Sequence, residues 1–294
     1  DALAEELDAL ARSRTPVMAC VAVCGTTEES AVDRIDLLLD ARAEAERGQG
    51  LTFHVHADAC FGGYAASVTW RADGGRRTAP EIRAESGGEW PEDGWLAAMR
   101  ALGDVDSVTI DPHKLGYIPF PAGAFLLRDR RARELVAVDP PYLAPTVGLD
   151  SAEDFFLGRF IFEGSKPGAA AAAVWLSHKV LPLDERGHGF LVTEAVRGAR
   201  RLHRALAAAD MGELRVVLLP APDINIVCWL LHHPSLRTLE TTNALNEAIY
   251  ARLSHQSAGA APEYMVTRTR FQSPMYDGAV DPLLAELGVC TPEE

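Results

Sequence analysis

Lys114 is the residue of this sequence whose position most clearly suggests chemistry. It follows Asp111, Pro112 and His113, which come after a short β-branched run, Ser107–Ile110, that is typical of a strand. The strand must end there, because proline lacks a backbone donor and favours extended geometry in the preceding residue. An amine at a strand end, followed by apolar residues, is a candidate Schiff-base nucleophile, since burial favours its uncharged form. The alternative is a lysine whose charged end simply reaches solvent.

Asp58 ends a second pattern, in which His54 and His56 alternate with apolar residues. Side chains two positions apart on a strand share one face, so these three would point the same way. Imidazole and carboxylate groups suit zinc, and the run resembles the H-x-H-x-D sequence of binuclear metallo-hydrolases. That pattern continues into a further histidine, whereas Ala59 follows here. A metallo-hydrolase is therefore the remote alternative, and we expect no metal site.

The other interpretation joins Asp58 to Lys114. A pyridoxal phosphate enzyme needs a lysine that binds the cofactor covalently. It also needs a carboxylate beside the pyridine nitrogen, so that the ring can accept an electron pair from Cα. Small residues must lie beside the ring, and hydroxyl or backbone donors must hold the phosphate. The chain supplies residues of all these types at Thr27, Asp58, Ala59, Cys60, Gly62, Gly63, His113, Lys114 and Ser165.

The elements that would position these residues alternate between strand and helix. Periodicity predicts strand 16–24, helix 30–47, strand 51–57, helix 95–102 and strand 107–110. This alternation indicates an α/β fold with a mostly parallel sheet and flanking helices. Ligands bind at the carboxyl ends of such strands, where Thr27, Asp58 and Lys114 are expected.

The remaining segments include a predicted surface excursion at residues 71–92, which are rich in Gly, Arg and Glu. Beyond Lys114 the patterns predict strand 122–128, helices 129–136, 164–179 and 194–208, strands 215–219 and 225–231, helix 241–253 and strand 264–270. The strand-rich end indicates a second, smaller domain.

Composition limits the classes of partner. The 294 residues carry a formal net charge of −14, with a pI near 5.1 and no basic stripe. This argues against nucleic acid and against anionic membranes as partners. The five cysteines are scattered without a C-x-x-C pair, which favours reduced thiols and a cytoplasmic location.

Both ends of the sequence look cut. The chain starts at Asp1 inside a helical pattern, and it stops after Thr291 and Pro292 followed by acidic residues, which is a helix start signal. We therefore expect a truncated chain.

Residues 56–63, HADACFGG, resemble the HVDAA-x-GG run of group II pyridoxal-dependent amino acid decarboxylases. Residues 111–114 match the (D/N)PHK lysine motif of the same family. Three further runs are most similar to its bacterial tyrosine decarboxylase branch: GTTEESAVD at 25–33, LGYIPFPAG at 115–123 and EGSKPGA at 163–169. The resemblance covers nearly the whole chain and is weakest at 68–95 and after 256.

The resemblance implies the PLP-dependent transferase-like fold (fold type I) and a homodimer whose active sites are shared between subunits. Residues 1–200 would form the C-terminal half of the large cofactor-binding domain, and residues 201–294 an incomplete small α+β domain. The implied partners are a small amino acid substrate and a second copy of the chain, with no nucleic acid and no membrane.

The resemblance also implies roles for single residues. Lys114 would form the Schiff base with pyridoxal 5′-phosphate, and Asp58 would pair with the pyridine nitrogen. Cys60 stands beneath the ring, where the family usually has alanine. Thr27 would contact the cofactor, and Asp111 stands where some members have asparagine.

Three more roles follow from the same motifs. His113 would contact the cofactor and take part in catalysis, and Ser165 would reach the phosphate. Tyr142 lies in a proline-rich loop and would protonate Cα after carbon dioxide leaves.

The implied activity is decarboxylation of an L-amino acid to its amine, with an aromatic, tyrosine-like substrate first and glutamate or aspartate next. A related lyase or aldehyde synthase on the same cofactor is the second function class, and a non-catalytic fragment is the third. Family members carry an N-terminal half with a first phosphate-binding loop and a stacking histidine. Neither lies in this chain, so the chain alone is expected to be inactive.

Overall fold

The computed structural model describes residues 2–88, 90–138, 157–164, 166–254 and 263–290. Contacts divide the chain into two compact units, Asp1–Thr26 with Ser30–Ala195, and Thr27–Glu29 with Val196–Glu294. The domain boundary between residues 200 and 201 stays a prediction, because contacts alone do not show which part folds independently. Within the described part of the chain, no helix has the length and apolar character needed to cross a membrane.

The first unit contains a four-stranded sheet in the order β1 (Ala19–Val23), β2 (His54–Asp58), β3 (Ser107–Ile110) and β4 (Ala124–Leu127). The first three strands are parallel, and β4 is antiparallel to β3. The predicted α/β fold with a mostly parallel sheet is thus confirmed. β4 runs the other way because its connection to β3 contains no helix that could return the chain for a parallel crossover.

Strand β2 decides which side chains face the site. Val55 and Ala57 are fully buried on one face of the sheet. His54, His56 and Asp58 alternate with them and therefore point to the opposite face.

Helices α1 (Ala2–Arg12), α2 (Ile35–Gln49) and α4 (Asp93–Ala101) belong to the same unit. Each presents apolar residues to the core: Leu7, Ile35, Leu38, Trp95 and Met99 are all buried. α2 ends at Gly50, whose left-handed φ of 67° suits glycine.

The prediction that residues 71–92 form only a surface excursion is wrong. The segment contains helix α3 (Ala79–Ser86), which begins with a capping box formed by Thr78 and Glu81. Arg77 is 2 % exposed and pairs with both Glu85 and Glu185. These ion pairs allow a charged segment to pack into the core.

Helix α5 (Ala169–Val180) and helix α6 (His188–Ala207) follow, and the boundary between the units falls within α6. The described residues between β2 and α5 also contain four 3₁₀ segments: Gly63–Thr69, Leu102–Asp104, Arg130–Val136 and Leu157–Arg159. The segment Arg130–Val136 lies where an α-helix was predicted over 129–136.

The second unit pairs β5 (Arg215–Leu218) with β6 (Trp229–His232) in antiparallel orientation and adds α7 (Leu239–Leu253) and α8 (Asp277–Leu287). Its core contains Val217, Leu284, Leu287 and Val289. The strand predicted at 264–270 is wrong: the segment makes no ladder with a neighbouring strand, and a strand needs such a partner.

Candidate active site

Asp58 is the last residue of β2, and its carboxylate is held by two neighbours. Oδ1 accepts hydrogen bonds from the backbone N–H of Cys60 at 3.2 Å and from the hydroxyl of Thr109 at 3.3 Å. Burial by itself raises the pKa of Asp58, but the bonds from Cys60 and Thr109 and the nearby His56 outweigh it and hold the pKa below its ordinary value. The charged carboxylate can therefore hold a cation or an N–H donor.

A ladder of hydrogen bonds leads along the same face of the sheet to Asp58. His54 Nε2 lies 2.7 Å and His56 Nδ1 lies 2.8 Å from Ser107 Oγ. His56 Nε2 lies 3.4 Å from Thr109 Oγ1. With the Thr109–Asp58 bond these make four contacts, and all are satisfied if each histidine carries its proton on Nε2. His54 then donates to Ser107, Ser107 to His56, His56 to Thr109 and Thr109 to Asp58.

The two histidines named above as alternative zinc ligands are thus used by Ser107 and Thr109. Among the residues that the structure describes, no group of three or more His, Cys, Asp or Glu side chains could hold a metal ion.

Backbone hydrogen bonds bring the carboxyl ends of the parallel strands together. Gly62 N–H donates to the carbonyl of Cys24 at 2.9 Å, and Asp111 N–H donates to the carbonyl of Cys60 at 3.2 Å. Gly25 has a φ of 91°, and a Cβ there would lie 3.0 Å from Gly62 N, so this approach requires glycine.

Lys114 lies on the turn that follows β3. Its Nζ lies 3.0 Å from Asp111 Oδ2, and its side chain is 38 % exposed. The expectation that apolar neighbours bury this amine is therefore wrong for the described residues. Asp111 N–H donates to the carbonyl of Cys60, and Cys60 N–H donates to Asp58 Oδ1. A path through the backbones of Cys60 and Asp111, with one ion pair at its end, therefore joins Asp58 to Lys114.

His113 lies beside this path. Its Nδ1 lies 2.6 Å from the carbonyl oxygen and 3.3 Å from the backbone nitrogen of Ala122, so both polar groups of that residue fix the ring at Nδ1. Its Nε2 lies 3.9 Å from Asp111 Oδ2. The imidazole is thereby held with Nε2 available to a ligand.

Cys60 follows Asp58 by two residues and is half-buried. Burial, and then the neighbouring carboxylates of Asp58 and Asp111, raise the pKa of its thiol, although a hydrogen bond with Thr109 acts in the opposite direction. The protonated thiol is a small, uncharged group suited to packing rather than to nucleophilic attack.

The structure brings together Asp58, Cys60, Asp111, His113 and Lys114 in the first unit. Thr27 belongs to the second unit, within the segment Thr27–Glu29. The predictions for Ser165 and Tyr142 lie outside the described residues.

Sequence reasoning missed Ser107 and Thr109, which connect the histidines to Asp58. The available signal was their alternation on β3, since Ser107 pairs with His56 and Thr109 with Asp58 in the parallel register. Hydroxyl residues at alternate positions of a strand share one face with the partner strand's side chains.

Comparison with known sequences identifies relatives of this chain. No protein-family model matches it. An L-tyrosine decarboxylase from Enterococcus faecium is 32 % identical over 311 residues, which cover 100 % of this chain and 49 % of that protein. An L-aspartate decarboxylase from Thermococcus kodakarensis is 31 % identical over 210 residues, which cover 71 % of this chain and 44 % of that protein. The chain spans about half the length of these relatives.

Among solved structures, the chain is similar to Oryza sativa TDC, crystallised with PLP and tryptamine. The TM-score is 0.55 at 18 % identity, covering 97 % of this chain and 53 % of that one. This likeness shows the fold, and the predicted fold type I is confirmed. The chain is homologous to tyrosine and aspartate decarboxylases over roughly half of their length, and its resemblance to the group II pyridoxal-dependent amino acid decarboxylases is thereby confirmed.

Proposed function

We propose that this chain is the lysine-bearing part of a pyridoxal 5′-phosphate-dependent decarboxylase that acts on an L-amino acid. The observation that carries the proposal is the path joining the charged Asp58 to Lys114 at the carboxyl end of the parallel strands. A carboxylate and a primary amine at such an edge are the two groups that this cofactor requires of its protein.

The donor set of the described residues fits the cofactor. Lys114 offers an amine to its aldehyde, and Asp58 offers a charged carboxylate to its ring nitrogen. When bound, pyridoxal phosphate supplies a conjugated ring that accepts the electron pair left at Cα when carbon dioxide departs. Thr27 and Ser165 are the proposed hydroxyl donors, to the cofactor and to its phosphate respectively.

The chain's own residues then have distinct tasks. Asp58 keeps a proton on the ring nitrogen, and Thr109 keeps Asp58 oriented and charged. His113, fixed at Nδ1 by Ala122, would contact the bound cofactor through Nε2. Tyr142 is the proposed proton donor to Cα.

The first candidate substrate is tyrosine or a similar aromatic amino acid. The proposal is supported by the tyrosine decarboxylase named above, whose alignment includes the whole of this chain. Aspartate is the second candidate, supported by a relative aligned over a smaller share, and glutamate follows it.

We propose further that the protein acts as a homodimer in the cytoplasm. Helix α5 supports the dimer, because none of its residues is buried and Trp175, Leu176 and Val180 are each more than half exposed. Exposed apolar side chains grouped on one helix are typical of a surface that a second chain covers.

Reductive trapping tests the assignment of Lys114, because the chain has only three lysines, at 114, 166 and 179. The full chain is incubated with saturating pyridoxal phosphate, reduced with borohydride and mapped by peptide mass spectrometry. We expect Lys114 to carry roughly tenfold more adduct than either other lysine, since Lys114 is the proposed Schiff-base lysine.

Lys114→Arg should remove the specific adduct without lowering Tm, and Lys179→Arg, the matched control, should retain it. Equal modification of all three lysines would contradict the assignment. Incubation with tyrosine, aspartate and glutamate then distinguishes an amine product from an aldehyde. Binding of the cofactor at Lys114 with neither product formed is the result expected if this chain alone is inactive.

A further inference from the structure

Three ring side chains form a cluster in the first unit that the proposed chemistry does not use. Tyr64 Oη lies 3.0 Å from His178 Nε2, and the Tyr64 ring centroid lies 4.8 Å from that of His188. The Tyr64 residue is 5 % exposed and His188 is fully buried. Among the residues that the structure describes, neither ring nitrogen of His188 has a hydrogen-bond partner.

The ring of Tyr64 lies directly against the turn that carries Lys114. A Cβ placed on Gly116 would lie 2.5 Å from Tyr64 Cζ and 2.5 Å from the carbonyl oxygen of Pro112. Only glycine leaves room for both neighbours, so the aromatic ring contacts the turn at Gly116, two positions after Lys114.

The turn itself is tightly hydrogen-bonded. The N–H groups of Lys114 and Tyr117 donate to the carbonyls of Asp111 and Lys114 at 3.0 Å, and Ile118 N–H donates to Pro112 at 3.0 Å. Tyr117 adopts a left-handed φ of 57°. Because these hydrogen bonds connect residues 111–118, a contact at Gly116 also constrains the position of Lys114.

We propose that Tyr64 is a positioning residue for Lys114: its ring supports the lysine turn at Gly116, and its hydroxyl is anchored by His178 on α5. The inference rests on the proposed function only in taking Lys114 as the cofactor lysine. It also assigns His178 a role, since this histidine holds the hydroxyl on Cζ, the ring atom that lies against Gly116.

The protonation states agree with this arrangement. Burial raises the pKa of Tyr64 to about 12 and lowers the pKa of His178. The phenol therefore keeps its proton and the imidazole is neutral at physiological pH, so the two groups form a neutral hydrogen bond.

The test uses the three lysines as internal references. In cofactor-free chain, trace acetic anhydride measures the reactivity of Lys114 relative to Lys166 and Lys179. Tyr64→Leu removes the supporting ring, so we expect Lys114 to leave Asp111 and to become roughly threefold more reactive. We also expect the borohydride-reducible adduct at Lys114 to fall roughly fivefold, because the amine is no longer held in place.

Tyr64→Phe and His178→Phe examine the anchor separately. Each removes one partner of the same hydrogen bond, so both should give a smaller, similar effect, and the double variant should add little to either. Ile82→Ala serves as the stability control, since Ile82 is fully buried in α3 and its truncation lowers Tm by cavity formation.

Unchanged Lys114 reactivity in folded Tyr64→Leu would overturn the inference, and so would an equal change in Ile82→Ala at the same Tm. Additive effects in the double variant would remove the anchoring role of His178. The acetylation measurement needs no cofactor. If wild-type Lys114 forms no adduct, the proposed function fails while the positioning role is still decided.

Discussion

At the scale of single residues, Asp58 is held by a side chain that the sequence motif does not contain. Thr109 occupies the position beside Asp58 on the neighbouring strand and donates to Oδ1 at 3.3 Å. Its own oxygen accepts from His56, so the threonine joins the carboxylate to the histidine–serine ladder. The low pKa of Asp58 on β2 therefore depends in part on Thr109 of β3.

Thr109→Val should weaken cofactor binding by roughly tenfold or more, because one hydrogen bond to a charged group contributes about 1.5–3 kcal/mol. Without this bond the pKa of Asp58 should rise toward its ordinary value. Thr109→Ser keeps the hydroxyl and is the matched control. Cofactor titration by absorbance, with carboxyl NMR of Asp58, checks both points. Equal binding by the valine and serine variants would show that the contact has no effect.

At the scale of elements, the start of α6 contains a buried group that has no hydrogen-bond partner within the described part of the chain. His188 is its first residue and lies among Tyr64 and His178, with ring centroids 4.8 and 5.5 Å away. Burial, and then the nearby His178, lower the pKa of His188 to about 4. The helix is therefore anchored by a neutral imidazole.

This burial predicts acid sensitivity. The folded-state pKa of His188 lies below its ordinary value of 6.5, so the unfolded chain binds the proton first as pH falls. Its contribution to stability is present above pH 6.5 and is lost between pH 6.5 and about 4, by up to about 3 kcal/mol.

Urea unfolding at several pH values measures this loss. His188→Phe retains an aromatic ring and removes the titrating group, so its stability should change less across the same window. A parallel loss in both proteins would assign the acid sensitivity to other groups.

At the scale of the whole molecule, helix α5 presents an apolar surface that the described part of the chain leaves exposed. Trp175 is 63 %, Leu176 58 % and Val180 70 % exposed, on a helix that buries none of its residues. The formal charge of −14 opposes non-specific association of two copies, so a dimer needs a specific apolar contact of this kind.

Leu176→Glu should therefore convert a dimer into monomers of 31.7 kDa with little change in Tm, since Leu176 is more than half exposed. Leu37→Glu on α2 is the matched control, because Leu37 is also exposed, at 47 %. Sedimentation velocity at micromolar concentration distinguishes the two. A monomeric wild-type chain, or a dimer that tolerates Leu176→Glu, would contradict the proposed interface.

The sequence by itself determined the order of the main elements, and it pointed to Asp58 and Lys114 as the two groups that the proposed chemistry requires. Periodicity located β1, β2 and β3, and Pro112 marked where β3 ends before Lys114. These signals are local, because side-chain periodicity, proline and glycine act within a few residues. The same signals failed at 71–92 and 264–270, where long-range ion pairs and a missing strand partner decided the outcome.

Only the tertiary structure decided how the site is held. Thr109 and Asp58 are 51 positions apart, and His178 and Tyr64 are 114 apart. The exposure of Lys114 and its pairing with Asp111 likewise depend on what surrounds the turn. Contacts of this separation arise from strand register and packing, which no local pattern records. The chain therefore encodes its reactive groups locally, while packing between distant segments sets their charge and position.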